Sequence, residues 1–138
     1  MDVDPIAAAE SGRTTAEFTI DLTPGTAELD RTGRFDFTKV WTGGMAGSSR
    51  GFMLSAGDPQ SGNAGYVALE VFEGSVDGRA GTFALQQFGT MSEGASVLHY
   101  EIVPGSGTDG LVGITGTVEL TVSDGRHDVT LRYRHPQQ

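Results

Sequence analysis

The amino-acid sequence predicts an all-β protein and, within that class, an eight-stranded antiparallel up-and-down β-barrel. Three observations support this fold. Apolar and polar residues alternate with a period of two, the chain has 21 glycines against 5 prolines, and the glycines recur at the spacing of turns between short strands. No stretch has the helical period. A closed barrel is favoured over a sandwich because closure leaves no unpaired strand edge.

Turn signals divide the chain into strands. The links 73–78 and 123–126 both contain Asp-Gly, a pair whose residues tolerate the positive φ of a tight hairpin. The links 57–63 and 104–110 are longer and polar, so we expect exposed loops at the rim. The predicted strands are 15–22, 29–42, 48–55, 65–72, 82–88, 96–103, 115–122 and 127–134.

Alternation within the strands predicts which side chains point inward. The fourth strand, 65–72, is apolar on both faces, so we expect its second face to be buried in a homo-oligomer, either a dimer or a trimer. The other inward sets are Phe18, Ile20 and Leu22 in the first strand; Phe35, Phe37, Lys39 and Trp41 in the second; Phe83, Leu85 and Gln87 in the fifth; Leu98, Tyr100 and Ile102 in the sixth; Val118, Leu120 and Val122 in the seventh; and Val129, Leu131 and Tyr133 in the eighth.

Length and charge limit the possible functions. The 138 residues fit one domain, and we expect a flexible N-terminal segment at 1–13, a barrel at 14–135 and a short tail at 136–138. The 9 Lys and Arg against 18 Asp and Glu give a net charge of −9, which repels phosphate backbones and anionic lipids. We therefore expect no nucleic-acid or membrane partner.

Three absences narrow the class of protein further. The chain has no cysteine, which excludes disulfides and thiolate chemistry. Residues 1–10 are acidic where a signal peptide carries positive charge, and no apolar stretch approaches the roughly 20 residues of a transmembrane helix. The sequence therefore predicts a cytoplasmic protein.

Polar side chains at inward positions predict a pocket for a small molecule. An aromatic-lined lumen with a few convergent polar groups is the usual composition of such a site. For each residue alone, the alternative is that Lys39 extends to the rim, Gln87 bonds to backbone and the tyrosine hydroxyls stay in solvent. The predicted binding residues are Phe37, Trp41, Gln87, Tyr100 and Tyr133, with Lys39 beside them.

Glu70 is the second candidate for proton transfer. It lies between large apolar neighbours in the fourth strand, where loss of water raises the pKa of a carboxyl and suits it to acid or base work. The alternative is an ion pair with Arg79 across the hairpin, or an ion pair at a subunit contact.

Other candidate sites are weaker. The histidines His99, His127 and His135 lie in different segments, with His99 facing outward and His135 in a frayed tail, so we expect no metal site. Ser48 and Ser49 lack the strand-to-helix turn of a hydrolase nucleophile. The glycine-rich turn at 105–107 is followed by no helix that could hold a phosphate, so we expect no cofactor.

Four segments resemble a known bacterial family. They are TKVWTG (38–43), ALEVFEG (68–74), GRAGTFALQ (78–86) and VPGSGT (103–108), and together they resemble the domain-of-unknown-function family three-two-two-four over about residues 14 to 134. That family is similar in fold to plant allene oxide cyclase and to dirigent-like barrels, so the resemblance implies an allene oxide cyclase-like (lipocalin-like) barrel. Allene oxide cyclase is a trimer that binds a long apolar epoxide and steers its cyclisation largely by shape. The family commonly has histidine where this chain has Gln87.

Two functions fit these residues. The first is a cofactor-free isomerase or cyclase, whose lumen folds an apolar polyketide, polyene or epoxide into a reactive conformer. Lys39 or Glu70 then donates or accepts a proton, and Gln87 orients a carbonyl. The second is a non-catalytic carrier that holds a hydrophobic small molecule in the same lumen. A structural oligomer with a filled interior is the third alternative.

Overall fold

The structure, a computed structural model, describes residues 11–136. The eight strands form one closed barrel in which each strand pairs antiparallel with its neighbours, so the predicted fold is confirmed. Most of the predicted N-terminal segment and the last two residues of the predicted tail lie outside the described residues. The strands are β1 (Gly12–Pro24), β2 (Thr32–Gly43), β3 (Met45–Asp58), β4 (Asn63–Val76), β5 (Arg79–Ser92), β6 (Ala95–Ile102), β7 (Thr115–Ser123) and β8 (Arg126–Arg134).

The three middle strands are longer than the sequence predicts. The predicted limits stop at glycines, whereas Gly47, Gly74 and Gly81 continue the pairing as one register row across β3, β4 and β5. A Cβ on Gly74 would lie 2.8 Å from the Cα of Gly47. These glycines therefore allow close approach of neighbouring strands at a bend instead of ending them.

The Asp-Gly hairpins form where the sequence places them. Asp77 and Gly78 have φ of 48° and 87°, and Asp124 and Gly125 have φ of 52° and 77°. Both pairs thus occupy the left-handed region that a two-residue hairpin requires. We call the end of the barrel with the 77–78 turn the plugged end, and the end with the 124–125 turn the open end.

The segment between β6 and β7 closes the plugged end: residues 104–110 form the predicted loop and are exposed or half-buried, and the residues that follow them turn inward. It contains a short 3-10 helix, Asp109–Leu111, and both Leu111 and Ile114 are fully buried. Below them, the rings of Phe72 and Phe83 stack with their centroids 5.0 Å apart. This half of the barrel is therefore filled by its own side chains.

One prediction is wrong. His135 is not in a frayed tail: it is 2% exposed, and its Nε2 lies 2.8 Å from the carbonyl oxygen of Gly110, so it ties the end of β8 to the plug. The outer face of β4, for which the sequence predicts burial in a homo-oligomer, has Val67, Leu69 and Val71 about half exposed in the single chain.

Candidate functional site

The structure separates the predicted site residues into three places. One group forms a buried hydrogen-bond network midway along the barrel, and another lines a cavity at the open end. Tyr133 lies apart, near the plugged end, where its hydroxyl donates to Asp77 at 2.5 Å. The network contains Lys39, Glu70, Trp41 and Tyr100; the cavity is lined by Phe37, Gln87 and again Lys39.

Lys39 and Glu70 form an ion pair inside the barrel. The Nζ of Lys39 donates to Oε1 of Glu70 at 2.9 Å, and the two residues are only 3% and 2% exposed. The alternatives of a lysine at the rim and of a glutamate paired with Arg79 are therefore wrong. Because two charges are costly to bury unless each is compensated, the pair must be held by further contacts.

Those contacts come from three neighbouring side chains. The hydroxyl of Tyr100 accepts a hydrogen bond from Lys39 Nζ at 2.9 Å and donates to Glu70 Oε1 at 2.7 Å. Ser49 donates to the other carboxylate oxygen at 2.5 Å and accepts from the indole N–H of Trp41 at 3.0 Å. Both oxygens of Glu70 are thus satisfied without water.

Aromatic rings surround the ammonium group. The Nζ of Lys39 lies 4.3 Å from the ring centroid of Phe18 and 5.1 Å from those of Phe37 and Tyr100. Ring faces attract a cation at these distances, and the attraction is stronger where water is excluded. The rings therefore stabilise the charged lysine beyond what Glu70 alone contributes.

Burial shifts the pKa of two members of the network. Loss of water lowers the pKa of Lys39, while the charge of Glu70 and its hydrogen bond oppose that change. Burial, and then the same carboxylate, raise the pKa of Tyr100 well above its usual 10.0. Tyr100 therefore remains a hydroxyl that can both donate and accept, and the amine of Lys39 loses its proton more readily than an exposed lysine.

A cavity of about 190 Å³ occupies the lumen at the open end. Its wall is mainly apolar, and Lys39 is the only member of the buried network that lines it. Within residues 11–136, two of the three N–H groups of Lys39 have acceptors, so one N–H donor is left. The other lining residues are Phe18, Ile20, Leu22, Phe37, Met53, Tyr66, Ala68, Gln87, Leu120, Val122 and His127.

A groove at the mouth of the barrel lies next to the cavity. This groove has a volume of about 380 Å³ and lies on the inner side of β2 to β6, with Met53 and Tyr66 common to both spaces. Gln87 does not bond to backbone as the alternative proposed, because its Oε1 accepts from the Tyr66 hydroxyl at 2.8 Å. The amide of Gln87 is thereby held in the cavity wall with its NH₂ group free to donate.

Sequence reasoning missed two residues of the site. Ser49 was considered only as a nucleophile, although it is the residue that links Trp41 to Glu70. His127 was considered only as a metal ligand, whereas it lines the cavity with its ring stacked on Phe18 at 4.8 Å. One signal in the sequence points to the centre of this site, because Lys39 is the single lysine of the chain.

Two other kinds of site are not found in the described part of the chain. No group of three His, Cys, Asp or Glu side chains there is placed to hold a metal ion. The described residues also include no helix of sufficient length and apolar character to cross a membrane.

Comparison with known proteins identifies the family. The model of the family described as "Protein of unknown function (DUF3224)" matches residues 14–133. The crystal structure of a protein with unknown function from the same family, from Shewanella oneidensis MR-1, is 36% identical and has a TM-score of 0.84, over 90% of this chain and 96% of that chain. No curated protein matches the chain. The chain therefore belongs to the DUF3224 family of proteins of unknown function.

Proposed function

We propose that the barrel binds a neutral, mainly apolar small molecule whose one oxygen acceptor faces Lys39. The observation that carries this proposal is the position of Lys39, with a remaining N–H donor, in the wall of a mainly apolar cavity. A buried donor without an acceptor is costly, so a ligand carbonyl or epoxide oxygen at this point gains a favourable hydrogen bond from Lys39.

Cavity volume indicates the shape of the ligand. The lumen holds about 190 Å³ and the groove about 380 Å³, and Met53 and Tyr66 line both spaces. Together they reach the range of ordinary small-molecule sites. A molecule with its oxygen at Lys39 and an apolar chain of several carbons along the groove fits this space.

Charge favours a neutral oxygen over a carboxylate. Glu70 already neutralises Lys39 at 2.9 Å, so an anionic ligand would bring a second carboxylate close to the first in a buried site. Like charges in such a site repel strongly. A ketone, aldehyde or epoxide accepts the same hydrogen bond without that repulsion.

The binding proposal can be tested through the single tryptophan. The indole of Trp41 is 1% exposed and its ring centroid lies 5.5 Å from Lys39 Nζ, so a carbonyl bound to Lys39 quenches its fluorescence. We expect 2-nonanone to quench with at least tenfold higher affinity than nonanoate. In Glu70→Gln, which leaves Lys39 without a counter-charge, we expect nonanoate to bind at least tenfold better than in the wild type. Tighter binding of nonanoate by the wild type, or no binding of either probe, refutes the proposal.

A second candidate function is proton-transfer catalysis in the same lumen, as a cofactor-independent isomerase or cyclase of polyketide, polyene or epoxide-like molecules. The observation that favours it is a second titratable group in the cavity wall. Lys39 and His127 both line this cavity, so one small molecule can reach both.

In this reaction Lys39 and His127 have separate roles. Lys39 donates its hydrogen bond to the carbonyl oxygen, where negative charge develops, while His127 removes a proton from the adjacent carbon and returns it further along the chain. Glu70 does not line the cavity, so it acts as a positioning residue that holds the ammonium of Lys39.

The probe 4-nonen-2-one separates the catalyst from the carrier. Isomerisation moves one proton from C3 to C5 and gives the conjugated ketone, which is followed by its ultraviolet absorbance. A catalyst is expected to convert the probe, with His127→Gln retaining affinity for 2-nonanone but losing at least 90% of the turnover. If the wild type binds the probe without converting it, the barrel is a carrier.

A further inference from the structure

The outer surface of β3, β4 and β5 carries a cluster of exposed apolar side chains. Strand register places Phe52 beside Leu69 and Leu54 beside Val67, and Val67 in turn lies beside Phe88. The members of this outer apolar face are between 41% and 54% exposed. They are Phe52, Leu54, Val67, Leu69, Val71 and Phe88.

We propose that the outer apolar face is the interface of a homodimer, in which the face of one chain packs against the same face of a second copy. Its area supports this occupant. From their exposed fractions, the six side chains present roughly 500 Å² of apolar surface, as much as the largest patch of a typical monomer. A standard interface buries about 800 Å² on each partner and has an apolar core. The outer apolar face supplies that core.

Charge also favours a second copy of this chain. The chain has a net charge of −9, so two copies repel at most approaches. The outer apolar face contains no acidic residue. The charged side chains flanking it include Asp36 and Arg50. Both line a concavity of about 590 Å³ that also touches Phe52, Leu69 and Val71. Two acidic chains can therefore meet at this face without bringing carboxylates into the centre of the contact, and the flanking charges form a polar rim.

The aromatic members of the face are held in place before association. The guanidinium of Arg34 lies 4.8 Å from the ring centroid of Phe52, and the ring of His99 stacks on Phe88 at 4.5 Å. Fixed aromatic side chains make effective interface anchors because little conformational freedom is lost on binding.

Self-association through one face also predicts the number of subunits. A ring of three requires two different complementary surfaces, whereas a single face that pairs with itself gives a twofold dimer. The other exposed large apolar residues of the described chain, such as Val40 and Val112, lie outside this face. The geometry therefore points to a dimer instead of a trimer.

Light scattering coupled to size exclusion tests the dimer. We expect the wild type to elute with about twice the 14.5 kDa chain mass, and Leu69→Lys, which places two ammonium groups in the contact, to dissociate at least a hundredfold more readily and elute as one chain. The matched control is Val112→Lys, because Val112 is 59% exposed but lies at the plugged end, and it should remain dimeric.

Two checks keep this test independent of folding. Thermal melting should show that Leu69→Lys stays folded, since the substituted side chain points away from the core. Val67→Lys is the second variant and should give the same single-chain mass. A wild type of one or three chains, or both face variants retaining the mass of two chains, overturns the proposal.

Discussion

Replacing Lys39 by methionine tests whether the buried charges are stable only as a pair. The substitution keeps the length of the side chain but removes the cation that pairs with Glu70, whose carboxylate stays 2% exposed. Removal of one partner from a buried ion pair costs about 3–5 kcal/mol because the other charge is left uncompensated. For a chain of this size the melting temperature should fall by roughly 10–20 °C.

The double variant Lys39→Met/Glu70→Gln provides the sharper comparison. It removes both charges, while the amide of the new glutamine can still bond to Ser49 and Tyr100. We expect it to regain at least half of the free energy of unfolding lost in Lys39→Met, measured by urea denaturation at pH 7. The control is Arg34→Met, which breaks the exposed ion pair of Arg34 with Asp36 and should cost less than about 1 kcal/mol. If the losses of unfolding free energy from the two substitutions simply add in the double variant, the account of a compensated pair is refuted.

Three further outcomes follow from the same geometry. Burial raises the pKa of Tyr100, so the protonated hydroxyl stabilises the fold below about pH 10, and this contribution is lost as the pH rises through the folded-state pKa. We therefore expect the free energy of unfolding of Tyr100→Phe to fall less between about pH 9 and 11 than that of the wild type. Ser49→Ala leaves the indole N–H and one oxygen of Glu70 without partners, and we expect a loss of about 2–3 kcal/mol with altered tryptophan emission. Gly51→Ala places a Cβ 2.7 Å from the Cβ of Glu70, and we expect it to lower the free energy of unfolding in urea by about 1–3 kcal/mol. Gly65→Ala, whose new Cβ would lie 3.4 Å from its nearest atom, should lower it by less.

The sequence predicts the barrel well because the period of two is a local property. Each inward set needs only the residues of its own strand, and for that reason Lys39 and Tyr100 could be placed inside from alternation alone, whereas β4 is apolar on both faces and left the side of Glu70 open. The limits of β3 to β5 were less well predicted, because a glycine that permits close strand approach has the same appearance in the sequence as a glycine in a turn.

The partner of Lys39 could not be predicted, because it depends on the register of three strands. Lys39 on β2 and Glu70 on β4 are separated by β3, and they meet inside the barrel where Gly51, between Phe37 and Glu70 in the register, has no side chain to block them. Arg79 is closer in sequence to Glu70 and was the simpler expectation. Its position at the start of β5, beside the plugged end, directs it away from the network.

The most direct test of the account is reductive trapping of an aldehyde on Lys39. Octanal carries the proposed oxygen on an apolar chain, and cyanoborohydride reduces the imine that it forms with an amine, so the modified peptide can be identified by mass spectrometry. Since Lys39 is the only lysine, the α-amino group is the only other amine of the chain and serves as the internal reference. The account predicts modification of Lys39 that excess 2-nonanone suppresses while the α-amino group reacts as before. Labelling of the α-amino group alone, or labelling of Lys39 that 2-nonanone does not affect, would contradict it.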